Sequence, residues 1–252
     1  MCLVLFAYDA DARHTLVVAA NRDELYARDA SAAHYWDSHP ELLAGRDLTG
    51  GGTWLGVTTN GRFAAVTNYA AAAPTGSLPD KPLSRGALTC DFLSTSLSCE
   101  QYVSSIDPSA YRGFNLLIWD GESLICTSNI GITQTLSSGI YGLTNAGFGA
   151  RWPKVVRGTD ALAACLAAGV KIDALLRLLN DEVQPPDNRL PQIGRPLDVE
   201  RHRATCFIRG QDYGTRASTA ILLSPENVTF AEQAYGPQGQ PGERHDYSFA
   251  PR

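Results

Sequence analysis

Residues 2–24, CLVLFAYDADARHTLVVAANRDE, hold two apolar runs joined by a polar turn and end in four consecutive polar residues. Each run is apolar without a break, so both faces of the strand it forms are covered, as in a sheet sandwiched between layers. The short DADAR connection makes the two strands antiparallel neighbours. Antiparallel pairing sets the end of the second strand beside the start of the first. Asn21-Arg22-Asp23-Glu24 therefore closes the second strand next to Cys2. The layered fold and a candidate site follow from this one juxtaposition.

Working outward, residues 26–50 read as irregular, with His34, His39, Pro40 and Gly45. GGTWLGVTTNGRFAAVTNYA reads as a hairpin about Asn60-Gly61, a strong short-range turn signal. AAAAPTGSLPDKP (70–82) reads as a loop by composition, and SRGALTCDFLSTSL as a helix with Leu88, Phe92, Leu93 and Leu97 near helical spacing. FNLLIWD and ESLICTSN form a second hairpin around Asp120-Gly121. TDALAACLAAG and IDALLRLLNDEV read as helices starting at Asp160 and Asp173, the first stopped by Gly169. PPDNRLPQIGRP is a loop, and ATCFI, STAILLS and VTFAEQAY are the closing strands. Blocks of antiparallel strands separated by helices predict a layered α+β sandwich rather than a parallel βαβ fold.

With 252 residues, 44% of them apolar and 19% charged, the chain has the makeup of a globular domain. No Pro/Gly/Ser-rich linker divides it, so a single domain over 1–252 is expected. A net charge of -5 with interspersed signs leaves no footprint for nucleic acid. The opening apolar run is short and lacks a basic lead, unlike a secretory signal, and no stretch reaches the length of a membrane helix. The expectation is a cytoplasmic protein without stable membrane insertion. The six cysteines (Cys2, Cys90, Cys99, Cys126, Cys165, Cys206) form no CxxC pair and read as reduced thiols. P-loop, dinucleotide-binding, HExxH, GxSxG and CxxCH patterns are absent. These absences lead to no expectation of a standard cofactor or metal site.

Cysteine is small enough for a preceding methionine to be removed, which would leave Cys2 with a thiol and an α-amine on one residue. The amine has a reference pKa of about 7.7–8.0 and the thiol about 8.5. The amine can accept the thiol proton without any histidine. Neutral amides such as asparagine suit an oxyanion, and an Arg/Asp pair suits the holding of the N-terminus. Arg22 and Asp23 lie within reach by register. Asn68 closes FAAVTN and Asn145 closes YGLTN, so two Thr-Asn strand ends recur.

The MC start, ANRDE, GGTWLG, the VTN strand end, SRG before a helix, GLTNA and YGTRAST together resemble the NRDE family, also called the transport and Golgi organization protein 2 family. The motifs run in the family's order from residue 2 to about residue 223. The family is in turn similar to N-terminal-nucleophile (Ntn) hydrolases of the bile-salt hydrolase and penicillin V acylase type. That resemblance implies a four-layer αββα sandwich with Cys2 as the nucleophile. It implies that Arg22 and Asp23 flank the thiol, although the hydrolases' Arg-x-x-Asp spacing is not kept. Asn68 matches the oxyanion-hole asparagine, and Asn145 a later asparagine at the nucleophile. Arg216 in YGTRAST matches the last arginine, with Arg203 the alternative. The implied activity is hydrolysis of a small acyl amide. Family links to haem trafficking and to lipid or acyl-CoA homeostasis imply an alternative, a carrier with haem as cargo, held by Cys2 or His34. Class II glutamine amidotransferases begin Cys-Gly, unlike the Cys-Leu here.

Overall fold

A computed structural model of the chain describes residues 2–69, 82–191 and 193–252. It contains two compact units. The first comprises residues 1–27, 138–144 and 149–248, and the second residues 28–137, 145–148 and 249–252. The chain passes between them at 27/28, 137/138, 144/145, 148/149 and 248/249, so neither unit is one continuous segment.

The first unit is built on β1 (Cys2–Tyr8), β2 (Leu16–Leu25), β10 (Gly139–Leu143), β11 (Tyr213–Leu223), β12 (Val228–Tyr235) and β13 (Pro241–Phe249). They form a six-stranded sheet in the order β10-β1-β2-β11-β12-β13. The β1–β2 and β2–β11 pairs are antiparallel. Helices α3 (Pro153–Ala167), α4 (Ile172–Leu178) and α5 (Leu197–Arg203) belong to the same unit. Leu3, Leu5 and Ala7 of β1, Val17 and Ala19 of β2, and Ala220 and Leu222 of β11 pack with Val155, Leu162, Leu175 and Leu176 of α3 and α4. Val4 and Phe6, on the opposite face of β1, are also fully buried. The continuous apolar run thus has the two-sided burial expected of it. Gly158 lets α3 lie close to β1: a Cβ there would stand 2.5 Å from Leu5 Cδ1.

The second unit holds β3 (Ala30–Trp36), β4 (His39–Asp47), β5 (Leu55–Thr58), β6 (Phe63–Asn68), β7 (Phe114–Trp119), β8 (Leu124–Ser128) and β9 (Gln134–Thr135). These make a seven-stranded sheet in sequence order. Helices α1 (Arg85–Leu93) and α2 (Cys99–Ser105) complete it. Leu88, Phe92 and Leu93 of α1, with Cys99 and Tyr102 of α2, pack against Leu42, Ala44, Ala64, Val66, Leu116 and Ile118. Each unit therefore supplies one antiparallel sheet and one set of helices.

Several local expectations are corrected. Residues 26–50 are not irregular but form the β3–β4 hairpin. Pro40 is tolerated there because β5 pairs with β4 only from Leu42 onward, so its missing N–H falls outside that ladder. Helix α3 starts at Pro153, seven residues before Asp160, with Pro at its first turn and Trp152 as its N-cap. ATCFI is no strand: residues 204–208 follow α5 as an irregular segment. Helix α2, opened by a Ser98/Gln101 capping box, together with α5 and β13, escaped the sequence reading. The loop expected at 70–82 falls outside the described residues except for Pro82. Among the described residues, no helix is long and apolar enough to cross a membrane.

Candidate functional site

Cys2 opens β1 directly opposite Arg22 on β2. The NRDE motif does not close β2 but lies within it, since the strand continues to Leu25. Pleating then sends the motif's side chains alternately to opposite faces of the sheet. Asn21 and Asp23 are buried, while Arg22 and Glu24 are partly exposed.

Asn21 is a structural clamp. Its Nδ2 donates to the carbonyls of Leu179 (3.0 Å) and Cys206 (2.9 Å), and its Oδ1 accepts from Ser218 Oγ at 2.6 Å. One side chain thereby joins the end of α4 and the segment after α5 to β2 and β11. Asn21→Ala would leave buried partners unsatisfied, so a loss of about 2 kcal/mol is expected, measured as a lower denaturant midpoint with an unchanged slope.

Asp23 faces Thr215 of β11 across the sheet. Thr215 Oγ1 donates to Asp23 Oδ1 at 2.8 Å and itself accepts from the Ile208 amide at 2.9 Å. Tyr213 donates its hydroxyl to the Asp23 carbonyl at 3.3 Å. The Arg203 guanidinium stacks 4.4 Å over the Tyr213 ring. Lys154, only 2% exposed, donates to the Arg203 carbonyl at 3.3 Å.

Asp23 and Lys154 are buried ionisable residues of this region. Burial pushes the Asp23 carboxyl above its usual range, and Lys154, the Thr215 hydrogen bond and Arg203 oppose that rise. Burial also raises the Cys2 thiol, and the Asp23 charge adds to it. Arg22 and a hydrogen bond from the Asp23 backbone amide pull the other way. Tyr213 is pushed up by burial and then by Asp23 and Cys2, which places its phenol in the same electrostatic neighbourhood.

Of the six residues singled out in the sequence, Cys2, Arg22 and Asp23 come together in the first unit. Arg216 belongs to the same unit but sits at a register shift in β11 between Thr215 and Ala217. Its Nη1 donates to the carbonyls of Leu25 (3.3 Å) and Tyr26 (3.4 Å), holding the end of β2. Arg203, the alternative, is the arginine whose charge acts on Asp23. Asn68 and Asn145 belong to the second unit, where Asn145 Nδ2 donates to the Asn68 carbonyl at 2.7 Å. Asn68 ends β6 as expected, whereas Asn145 lies beyond β10. His34 Nδ1 hydrogen-bonds with the Ala32 carbonyl at 2.8 Å within β3. Among the described residues no group of three or more His, Cys, Asp and Glu is placed to hold a metal ion.

Lys154, Tyr213 and Thr215 were missed. Lys154 falls in the unassigned stretch before the helix expected at Asp160, and the structure places it in the first turn of α3. Tyr213 and Thr215 lie in YGTRAST, where the resemblance points only to Arg216. GGTWLG is a packing device in the second unit. Gly52 presses against Gly86 of the SRG motif, where a Cβ would come within 2.4 Å of the Gly86 backbone. The two motifs thus touch in the fold, with the Thr53 amide donating to the Gly86 carbonyl.

The fold is that of the N-terminal-nucleophile hydrolases. It superposes on an N-acylethanolamine-hydrolyzing acid amidase ortholog from Caenorhabditis elegans (TM-score 0.52, 10% identity, 88% of this chain and 92% of that one). It also superposes on the C2A mutant of conjugated bile acid hydrolase from Clostridium perfringens (TM-score 0.54, 12% identity, 98% and 92%). The chain belongs to the Transport and Golgi organisation 2 family, whose model matches residues 1–237. It is 35% identical to the Transport and Golgi organization protein 2 homolog of Bos taurus and 33% identical to that of Homo sapiens, covering 93% of each chain in both cases. The Drosophila melanogaster protein is 25% identical, with 97% of each chain covered.

Proposed function

We propose that this protein is an N-terminal-cysteine amidohydrolase acting on a small acyl amide. The observation that carries the reading is the register of β1 on β2, which sets Cys2 opposite Arg22 with Asp23 buried beside them. Once Met1 is removed, the freed α-amine takes the thiol proton and the sulfur attacks the amide carbonyl. The C–N bond breaks, the leaving amine takes up that proton, and a thioester remains. Water, deprotonated by the same amine, then hydrolyses the thioester and regenerates the thiol. Asp23 anchors the α-amine and Arg22 favours the thiolate. Assignment of Asn68 and Asn145 as oxyanion donors is carried by the family resemblance. Two solved structures that share this fold are named as an amidase and a hydrolase, the latter with the cysteine at position 2 replaced.

Intact-mass analysis of the purified chain is the first test. A mass short by one methionine is expected, and retention of Met1 would sink the mechanism, because Cys2 would have no amine of its own. The second is exposure to a panel of amides and β-lactams, with covalent adducts mapped to Cys2. A stoichiometric haem spectrum that disappears with Cys2→Ala, in a chain that acylates nothing, would instead favour a haem carrier.

A further inference from the structure

Lys154 is a fully buried basic residue of the first unit that this reaction scheme leaves without a task. It is the second residue of α3, after Pro153. A cation at a helix N-terminus is disfavoured by the helix dipole. Withdrawing an ammonium from water is costlier still unless an anion compensates. Its hydrogen-bond acceptor, the Arg203 carbonyl, is neutral. That bond nevertheless fixes the ammonium at the start of segment 203–208. The same segment is tied to the surroundings of Asp23: the Cys206 carbonyl accepts from Asn21, and the Ile208 amide reaches Asp23 through Thr215. Lys154 and Asp23, each 2% exposed, are therefore both tied to one segment, Lys154 directly and Asp23 through Thr215. Lys154 is also the strongest of the side-chain charges that favour ionised Asp23, ahead of Arg203.

We propose that Lys154 is a positioning residue: its ammonium keeps the Asp23 carboxyl ionised, and that carboxylate holds the α-amine of processed Cys2. The second half of this inference rests on the amidohydrolase reading; the Lys154–Asp23 coupling does not. Thr215 of β11 donates to the Asp23 carboxylate and Tyr213 of β11 to its carbonyl; the charges of Lys154 in α3 and Arg203 in α5 act on Asp23, and Asp23 acts in turn on Cys2 of β1 and on Tyr26 just past β2. Removing the Lys154 charge leaves the burial cost of the carboxylate less opposed. Asp23 then keeps its proton to higher pH.

The test is a pH titration of the full chain carrying 13Cγ-labelled aspartate, with the Asp23 resonance identified by its loss in Asp23→Asn. In Lys154→Met the Asp23 midpoint is expected to rise by about one pH unit or more, a tenfold gain in proton affinity. In Lys154→Arg it is expected to stay within about 0.3 unit of wild type, since the charge is kept. Equal midpoints in wild type and Lys154→Met would overturn the proposal. A raised midpoint in a chain that acylates no amide upholds the coupling and overturns only the amidohydrolase reading. Should Lys154→Met fail to fold, the double variant with Asp23→Asn is expected to recover, because both charges leave together. A double variant as unstable as the single one would overturn the coupling.

Discussion

Cys2→Ala is expected to abolish covalent acylation by amides and β-lactams and to cut turnover by roughly 10³-fold or more. The five other thiols cannot substitute. Cys99, Cys126 and Cys206 are buried, and burial holds the Cys126 and Cys206 thiols up at about 12. Cys90 and Cys165 are partly exposed, and both are raised by burial. Peptide mapping of the adduct separates them from Cys2. The variant should keep its thermal midpoint, because Cys2 is only partly buried and lies at the strand's end. The pH dependence has a definite sign. The Cys2 thiol lies above its ordinary range, so the thiolate fraction grows as pH rises from neutral into the alkaline range. The acylation rate should rise with it. A rate independent of pH over that range would remove thiol ionisation from the mechanism.

Gly52→Ala is expected to cost about 3 kcal/mol, lowering the thermal midpoint by roughly 6–12 °C for a chain of this length. The added methyl would meet the carbonyl carbon and oxygen of Gly86 at 2.4 Å and the Ala87 nitrogen at 2.9 Å. These are backbone atoms and cannot rotate aside. The Thr53 amide also donates to the Gly86 carbonyl at 3.3 Å, so separation of the segments would break that bond. Gly86→Ala is a telling comparison. Its Cβ would approach no closer than 3.2 Å, and alanine gains about 1 kcal/mol of helix propensity over glycine. It should therefore be close to neutral. Equal losses at the two sites, read by calorimetry, would show that contact geometry is not what selects Gly52.

The sequence made some features legible and hid others for physical reasons. Both hairpins with Asn-Gly or Asp-Gly turns were readable, because those dipeptides set the backbone by themselves. The Cys2–Arg22 pairing followed from a short turn and two unbroken apolar runs. Asn21 and Asp23 looked alike as polar residues at a strand end, yet one is a packing clamp and the other faces the site. Only the hydrogen bonds to Leu179, Cys206 and Ser218 separate them. Lys154 was invisible because its burial depends on Arg203, 49 residues away. Residues 204–208 misled because their apolar character serves contacts with several elements rather than a ladder.

The β2 strand has one neighbour close in the chain and another that arrives very late. Its pairing with β11 joins Leu25 to Tyr213 and Leu16 to Leu223. The seven strands of the second unit, by contrast, are complete by residue 135. During synthesis that sheet has all its strands while the first still lacks β11, so long-range closure becomes the slow step. Cys2 and Asp23 gain their shared surroundings only after almost the whole chain has left the ribosome. The β1–β2 pair that carries Cys2 and Asp23 is thus among the first parts of the chain to be made, while the β11 edge that supplies Tyr213 and Thr215 beside it is among the last.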